Sequence, residues 1–322
     1  MYNLLYLAPC KYGGWVSFTA HMALKYNLPL YKCHSKTEQR KDSSPILRKY
    51  GYGVNYQNLG SEQIKEKSNL IITAVHKKCY SFLESVPDNS FIVIHDPTEL
   101  YGKAALPLLD QINRFRIIVI RKSVQDFIKQ KYNLDSTLII HPFYEYPITK
   151  SLVPTRNVCI SRVDFDKHID LILKANKQLD DSRAIWLHGC VNPIYSFHNL
   201  QELDFKKYSK KSFKKDFKDL DEILKDTKYV VDMSAIKNDG GGTQYTFLEA
   251  IYQGCMLILS KKWITPGSIF INGINCFVAE NENEIASIIN TNTINTLENA
   301  LDILRIHTAV NWIEELDKIL CP

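Results

Sequence analysis

Short apolar runs alternate with helical repeats along this chain, stop at a proline-bearing segment, and then begin again. In the first half the apolar runs cover 3–8, 69–75, 91–95, 116–120 and 137–141, with helical patterns such as 16–25 and 124–131 between them. Buried strands alternating with helices indicate a parallel sheet covered on both faces. Around 144–154 the sequence reads Glu-Tyr-Pro-Ile-Thr-Lys-Ser-Leu-Val-Pro, with two prolines and no period, the mark of a linker. The second half repeats the alternation, with strands expected at 158–161, 184–188, 229–233, 255–260 and 275–278 and helices at 168–179, 212–225, 243–253 and 282–289. A tail at 308–320 carries Val310, Ile313, Leu316 and Ile319 on one helical face. The fold class is therefore α/β, with two doubly wound, Rossmann-like domains whose strand ends face across a ligand cleft. At 322 residues the chain suits two domains of about 150 residues each. Their expected spans are 1–150 and 151–305, with a final helix at 306–322 packing back towards the first domain.

Composition excludes several classes. The chain is 45% hydrophobic and 23% charged, with no low-complexity tract, as folded proteins are. Eight cysteines are scattered without a C-x-x-C pair or a Cys/His cluster. That argues against zinc and a disulfide framework and for a reducing, cytoplasmic setting. The apolar segment 1–9 is short and lacks a basic leader, so it reads as a first strand and not a signal peptide. No run approaches the roughly 20 apolar residues needed to span a bilayer. A net charge of +5 is a mild bias towards anionic partners.

The chemistry concentrates at Asp239-Gly240-Gly241-Gly242-Thr243-Gln244-Tyr245-Thr246-Phe247-Leu248-Glu249-Ala250, ahead of Gly254 and an apolar run. Three glycines before a helix let the backbone approach an anion, and the first free N–H groups of the helix point at it. Glu249 falls seven residues after Gly242, about two turns or roughly 10 Å along the same face. A loop-helix of this kind grips a phosphate at one end and offers a carboxylate to hydroxyls further along, a layout suited to a nucleotide-sugar. The bland alternative is a flexible loop and a solvated glutamate. Earlier in the same domain, Cys159-Ile160-Ser161-Arg162-Val163-Asp164-Phe165-Asp166-Lys167-His168 places an arginine at a strand end and a lysine five residues on. Two such cations opposite an anion loop clamp a diphosphate and take up the charge of a leaving group. Either one alone would be an ordinary surface cation.

As a set, these motifs resemble the retaining glycosyltransferases of the GT-B fold (glycosyl transferases group 1 type). Arg-x4-Lys after a strand, the glycine loop and Leu-Glu-Ala before Gly254 all occur in that family's order. Asn272-Gly273-Ile274-Asn275-Cys276-Phe277-Val278 is similar to its later turn and strand. The resemblance implies that Arg162 and Lys167 bind the donor diphosphate and that Glu249 binds the nucleotide ribose. It further implies that domain 151–305 holds the nucleotide-sugar and domain 1–150 the acceptor. The donor would be a nucleotide-diphosphate sugar, a UDP-sugar first of all, with no other cofactor and no metal. The family's usual pattern carries two glutamates eight positions apart; the first falls on Gly241 here, and Asp239 is the nearest acid. Gly254-Cys255-Met256 also lacks the family's usual proline.

In the first half, Gly13-Gly14 stands between the first strand and a helix, where such enzymes have a glycine turn beside the donor and acceptor; the resemblance implies that both glycines bind the donor, the alternative being a plain strand-to-helix turn. His95-Asp96 ends the run 91–95, and such a pair bonds sugar hydroxyls or orients an acceptor hydroxyl for deprotonation. His21 and His141 are read as structural. Lys206, Lys207, Lys210, Lys211, Lys214, Lys215 and Lys218, interleaved with phenylalanines, form a basic stripe if helical. Lys207, Lys211 and Lys215 would be its nucleic-acid contacts, although a solvated face is the plainer reading and a membrane surface a third. The His-Asp pair and Gln244–Glu249 are also similar to phage DNA alpha-glucosyltransferases, so the expected acceptor is a cell-surface or viral glycan or a hydroxylated base in DNA. If the chain is viral, the host cytoplasm is the expected site of action. Two alternatives stand beside transfer: a nucleotide-sugar-binding protein without activity, and a nucleic-acid-binding module. A nicotinamide dehydrogenase is excluded, because Ala8–Gly14 does not supply G-x-G-x-x-G. Oligomeric state is not legible.

Overall fold

A computed structural model of the chain describes residues 1–9, 13–33, 48–49, 51–151, 153–210, 212, 216–235, 241–291 and 294–321. They form two compact units, one of residues 1–145 and 307–322, the other of residues 146–306.

In unit 1 the elements run β1 (Asn3–Leu7), α1 (Gly14–Lys25), β2 (Leu30–Lys32), β3 (Arg48–Lys49), β4 (Asn55–Asn58), α2 (Ser61–Lys65), β5 (Leu70–Val75), β6 (Phe91–Ile94), α3 (Leu106–Leu109), β7 (Arg116–Val119), α4 (Lys122–Tyr132) and β8 (Thr137–Leu138). The sheet order is β3-β4-β2-β1-β5-β6-β7-β8, parallel throughout except between β3 and β4. Leu4, Leu5, Ile71, Ile72 and Ile92 are wholly buried, as expected of strands covered on both faces. Each such side chain contributes about 1.5–3 kcal/mol by leaving water. The strand order reverses between β1 and β5, so the crevice at their C-terminal ends is the place where a doubly wound sheet accepts a ligand.

Unit 2 contains β9 (Arg156–Cys159), α5 (Ile169–Asn176), β10 (Ile185–His188), α6 (Pro193–Asn199), α7 (Phe205–Tyr208), β11 (Ser209–Lys210), α8 (Phe217–Leu224), β12 (Thr227–Asp232), α9 (Tyr245–Gln253), β13 (Met256–Ser260), β14 (Phe277–Ala279), α10 (Glu282–Thr291) and most of α11 (Leu297–Ala309). Its six parallel strands lie in the order β11-β10-β9-β12-β13-β14, reversing between β9 and β12. The last helix, α12 (Trp312–Leu320), belongs to unit 1. Trp312 is fully buried there, donating its indole N–H to Ile140 O at 2.8 Å and meeting Phe18 edge-on. Lys25, at the end of α1, donates to the carbonyls of Thr308 and Val310 at 2.6 and 2.9 Å, tying the last turn of α11 and the segment after it to unit 1.

The expected helix 212–225 is shorter than its pattern. Phe205–Tyr208 is a separate single turn, Ser209–Lys210 pairs with β10, and only Phe217–Leu224 is regular helix, capped by Asp216. The expected strand 275–278 begins two residues later, because Asn275 closes a turn, its side chain accepting from Ile271 N and donating to Ile269 O. Among the described residues, no helix is long and apolar enough to cross a membrane.

Candidate functional site

In unit 2 the loops leaving β9 and β12 diverge at the reversal of strand order. The β9 loop is woven into its neighbours by backbone bonds: Val163 N donates to Cys190 O, Asn192 N to Val163 O, and Ala235 N to Asp166 O, each at 2.9 Å. This weave carries Lys167 into a buried position, 7% exposed, where its Nζ donates to Ser234 Oγ at 2.6 Å. Ser234 is itself fixed, its N–H donating to Asp232 Oδ1 at 2.8 Å. Asp232 ends β12, and its other oxygen, Oδ2, is buried with no hydrogen-bond partner among the described residues. Cys159 at the end of β9 feels both charges: burial first and Asp232 next push its thiol up to about 11, and Lys167 acts against them.

Arg162 lies on the exposed side of the same loop. Its guanidinium spans Asp164 Oδ2 and Asp166 Oδ2, each at 3.1 Å. Asp164 is in turn held by Asn192 Nδ2 at 2.9 Å. The two cations expected to act together therefore have different settings: Lys167 is buried on a neutral hydroxyl, whereas Arg162 is paired with carboxylates at the surface.

The glycine loop differs from the expected phosphate cradle. Asp239 and Gly240 lie outside the described residues. Helix α9 starts at Tyr245, not Thr243, so Gly241, Gly242 and Thr243 precede it by a short extended stretch. The Gly241 amide, expected to face an anion, donates to Trp263 O at 2.5 Å, and its carbonyl accepts from Ser268 Oγ at 3.0 Å. Trp263 Nε1 donates to Gly242 O at 2.9 Å. Trp263 is wholly buried and meets Phe247 of α9 edge-on, so one tryptophan pins the loop to the helix that follows it. Gly241 has φ +79, a left-handed conformation, and a Cβ there would stand 2.1 Å from Thr265 Oγ1. Glu249, on the second turn of α9, is 3% exposed.

Unit 1 brings Gly13, Gly14, His95 and Asp96 to the C-terminal ends of β1 and β6. Gly13 caps α1 with φ +102 and ψ −179, a region essentially reserved for glycine. His95 is buried; its ring Nε2 bonds the Thr73 carbonyl at 2.8 Å and packs edge-on against Phe18. A carbonyl partner requires that Nε2 carry the proton, leaving Nδ1 as the acceptor nitrogen. Burial holds the imidazole down to about 4, so it is neutral at ordinary pH. Asp96 Oδ1 accepts from Thr98 N at 2.8 Å and also from the Thr98 hydroxyl. His21 is buried, with Nδ1 accepting from Tyr144 N at 2.9 Å, and His141 is buried beside it, its carbonyl bonded to His307 Nδ1 at 2.7 Å.

Among the described residues the lysines expected to form one helical stripe lie on separate elements. Lys206 and Lys207 sit on the one-turn α7, Lys210 on β11 and Lys218 on α8, while Lys211, Lys214 and Lys215 lie outside the described residues. Lys207 pairs with Asp181 at 2.6 Å, and Lys210 covers the Trp186 ring at 4.0 Å.

Ser234, Trp263, Trp15, Glu99 and Arg121 enter the two strand edges without any motif that singles them out. Only Glu99 has a local signal: Asp96-Pro97-x-Glu99 is a helix-start pattern, with an N-cap acid, proline next and an acid at the third position.

Two doubly wound units of this kind define the GT-B fold of the two-domain glycosyltransferases. Over its whole length the chain is similar to Anabaena HepE in complex with UDP-glucose, with TM-score 0.71, 15% identity and 100% of each chain covered. It is also similar to an alpha-glucosyltransferase in complex with UDP and a 13-mer DNA containing an HMU base, with TM-score 0.68, 14% identity and 95% of each chain covered. A glycosyltransferase from Rickettsia africae aligns at TM-score 0.59 and 13% identity, over 99% of this chain and 98% of that one. No family model and no curated protein sequence matches the chain.

Proposed function

We propose that this chain is a glycosyltransferase that moves a sugar from a nucleotide-diphosphate sugar to an acceptor hydroxyl, with retention of anomeric configuration. The observation that carries this reading is Lys167, a lysine buried on Ser234 at the crevice where the strand order of unit 2 reverses. A fixed ammonium at that crevice offers a charge to a diphosphate without the reorganisation that water requires. UDP is the nucleotide because two full-length structural neighbours, HepE and the alpha-glucosyltransferase, hold UDP or its glucose ester.

In the reaction, the bond from the sugar's anomeric carbon to the diphosphate breaks and one to the acceptor oxygen forms on the same face. Lys167 takes up charge on the departing diphosphate, and Arg162 does so by exchanging Asp164 and Asp166 for phosphate oxygens. These two cations fill the role a metal would otherwise take, and no further cofactor enters. Glu249 binds the ribose. His95 Nδ1, with Asp96 beside it, takes the proton of the attacking hydroxyl as the new bond forms and passes it on to water. The acceptor is a glycan hydroxyl or a hydroxylated base in DNA; the second is favoured by the likeness to an enzyme bound to HMU-containing DNA. The scattered cysteines favour a cytoplasmic setting.

The test is thermal shift and hydrolysis against UDP-glucose and a panel of other UDP-, GDP-, ADP- and CMP-sugars. A ligand at a hundredfold its Kd adds about 2.7 kcal/mol, several degrees of Tm. One sugar that both stabilises the protein and is slowly hydrolysed is expected, with Lys167→Ala losing both effects. No shift with any of them refutes the donor site, and a shift without hydrolysis or transfer refutes the transferase.

A further inference from the structure

Glu99 lies on the 3-10 turn Pro97–Leu100 after β6, partly buried. Its Oε1 accepts the indole N–H of Trp15 at 2.8 Å and the backbone N–H of His95 at 3.2 Å. Trp15 follows Gly13-Gly14 in the first turn of α1, so one carboxyl oxygen joins the turn after β1 to the turn after β6. β5 lies between those strands, so no ladder bond links the two turns directly. From the other side, the Arg121 guanidinium donates to the His95 carbonyl. With Nε2 on Thr73 and the ring on Phe18, His95 is held at its amide, its carbonyl and one ring nitrogen.

We propose that Glu99 is a positioning residue whose carboxyl locks the glycine turn and the His95–Asp96 turn into the one arrangement in which His95 meets the acceptor. This rests on the glycosyltransferase reading. The charged and titratable groups facing Glu99 are Asp96, Arg121, His95 and Tyr80. Burial first and Asp96 next push the Glu99 carboxyl well above the usual carboxylate range, against the bonds from Trp15 and His95 and the charge of Arg121. The two shifts run in opposite directions, burial lowering the His95 imidazole and raising the Glu99 carboxyl. Protonation weakens its oxygen as an acceptor and loosens both turns, so the acid limb of activity follows Glu99 and not the histidine.

The experiment measures UDP release from UDP-glucose across pH for the wild type, Glu99→Gln and Glu99→Ala, with ¹H–¹⁵N spectra of each. Glutamine keeps a carbonyl acceptor for both N–H groups and cannot ionise. Standing in for the protonated acid, it is expected to hold activity at every pH at the lowered level of the wild type's acid side, and so to lose the acid limb. Alanine removes the link and is expected to lower kcat about ten- to a hundredfold, the cost of a misplacement of about 1 Å, while KM for UDP-glucose changes less than about twofold. Alanine with wild-type kcat, or glutamine with a wild-type acid limb, overturns the proposal. If the wild type turns over no nucleotide sugar, the glycosyltransferase reading fails and the spectra decide the linkage alone. Trp15 indole and His95 amide signals that titrate together in the wild type, and not in Glu99→Gln, uphold it; a Trp15 signal insensitive to both pH and substitution overturns it.

Discussion

Gly241→Ala should cost stability in unit 2 through two separable effects. At φ +79 any residue with a Cβ pays about 1–2 kcal/mol for the left-handed backbone. The new Cβ would also stand 2.1 Å from Thr265 Oγ1, with Thr265 Cβ at 3.4 Å, an ordinary contact distance. Among the described residues only the hydroxyl is therefore in the way, and turning it aside costs about 0.5–1.5 kcal/mol. The single substitution should lose roughly 2–3 kcal/mol in all. Thr265 is exposed, so Thr265→Ala alone should stay within about 0.5 kcal/mol of wild type. Together the two substitutions should recover the steric share and leave the backbone share, a coupling of about 1 kcal/mol of favourable sign. The assay is urea unfolding followed by the indole signals of Trp186 and Trp263, which report unit 2 alone. Binding of UDP-glucose should fall in Gly241→Ala and return in part in the double variant, because the Gly241 amide and carbonyl are what fasten the loop to Trp263 and Ser268. A cycle additive within about 0.3 kcal/mol, or a neutral Gly241→Ala, refutes this account of the loop.

Gly13→Ala meets no atom of the described residues within 4 Å, so its loss of about 1–3 kcal/mol comes from backbone strain and should not be rescued by trimming those neighbours; equal stability in an unfolding curve refutes it. Lys25→Met should cost about 1.5–3 kcal/mol and increase hydrogen exchange in residues 307–321, because Thr308 and Val310 lose a charged donor. Burial holds both His95 and His307 near 4, so between about 6.5 and 4 the unfolded chain binds more protons and stability falls as pH falls. Glu99, raised, acts with the opposite sign in its window, since there the native state binds the extra proton. Glu99→Gln should therefore steepen the acid loss of stability in urea titrations at successive pH values, and an unchanged slope counts against the raised carboxyl.

The doubly wound class was legible because fully buried parallel strands leave unbroken apolar runs: 69–75, 91–95 and 229–233 coincide with β5, β6 and β12 to within a residue or two. Strands β2 and β4 were not legible, since Leu-Tyr-Lys and Asn-Tyr-Gln-Asn lie towards one side of the sheet and carry no such run. The basic stripe shows the converse failure. A period of lysine doublets suggests one helix, but Ser209–Lys210 pairs as an edge strand with β10. At the site, Arg162, Lys167 and Gly241 could be marked because local spacing carries their chemistry. Trp263 could not, because its hold on the glycine loop depends on two segments about twenty residues apart meeting in space.

Both sheets reverse strand order beside their first strand, between β1 and β5 and between β9 and β12, yet the chemistry at the two crevices differs in kind. In unit 2 the loop after β9 folds back on two neighbours and delivers an ammonium, which suits an anion. In unit 1 the turn after β6 delivers a neutral imidazole and a carboxyl that resists ionisation, which suits a hydroxyl and its proton. The same topology serves both because it fixes only where strand ends converge. Which charge arrives there is decided by a few side chains in the following turn, Lys167 on Ser234 in one case and Glu99 on Trp15 and His95 in the other. On the proposed reading this difference predicts how lesions divide. Lys167→Ala should abolish donor binding and leave the Trp15 and His95 signals unmoved. Glu99→Ala should move those signals and slow turnover while donor binding persists. Loss of donor binding in both variants would mean that unit 1's network serves the donor, and the division by unit would be wrong.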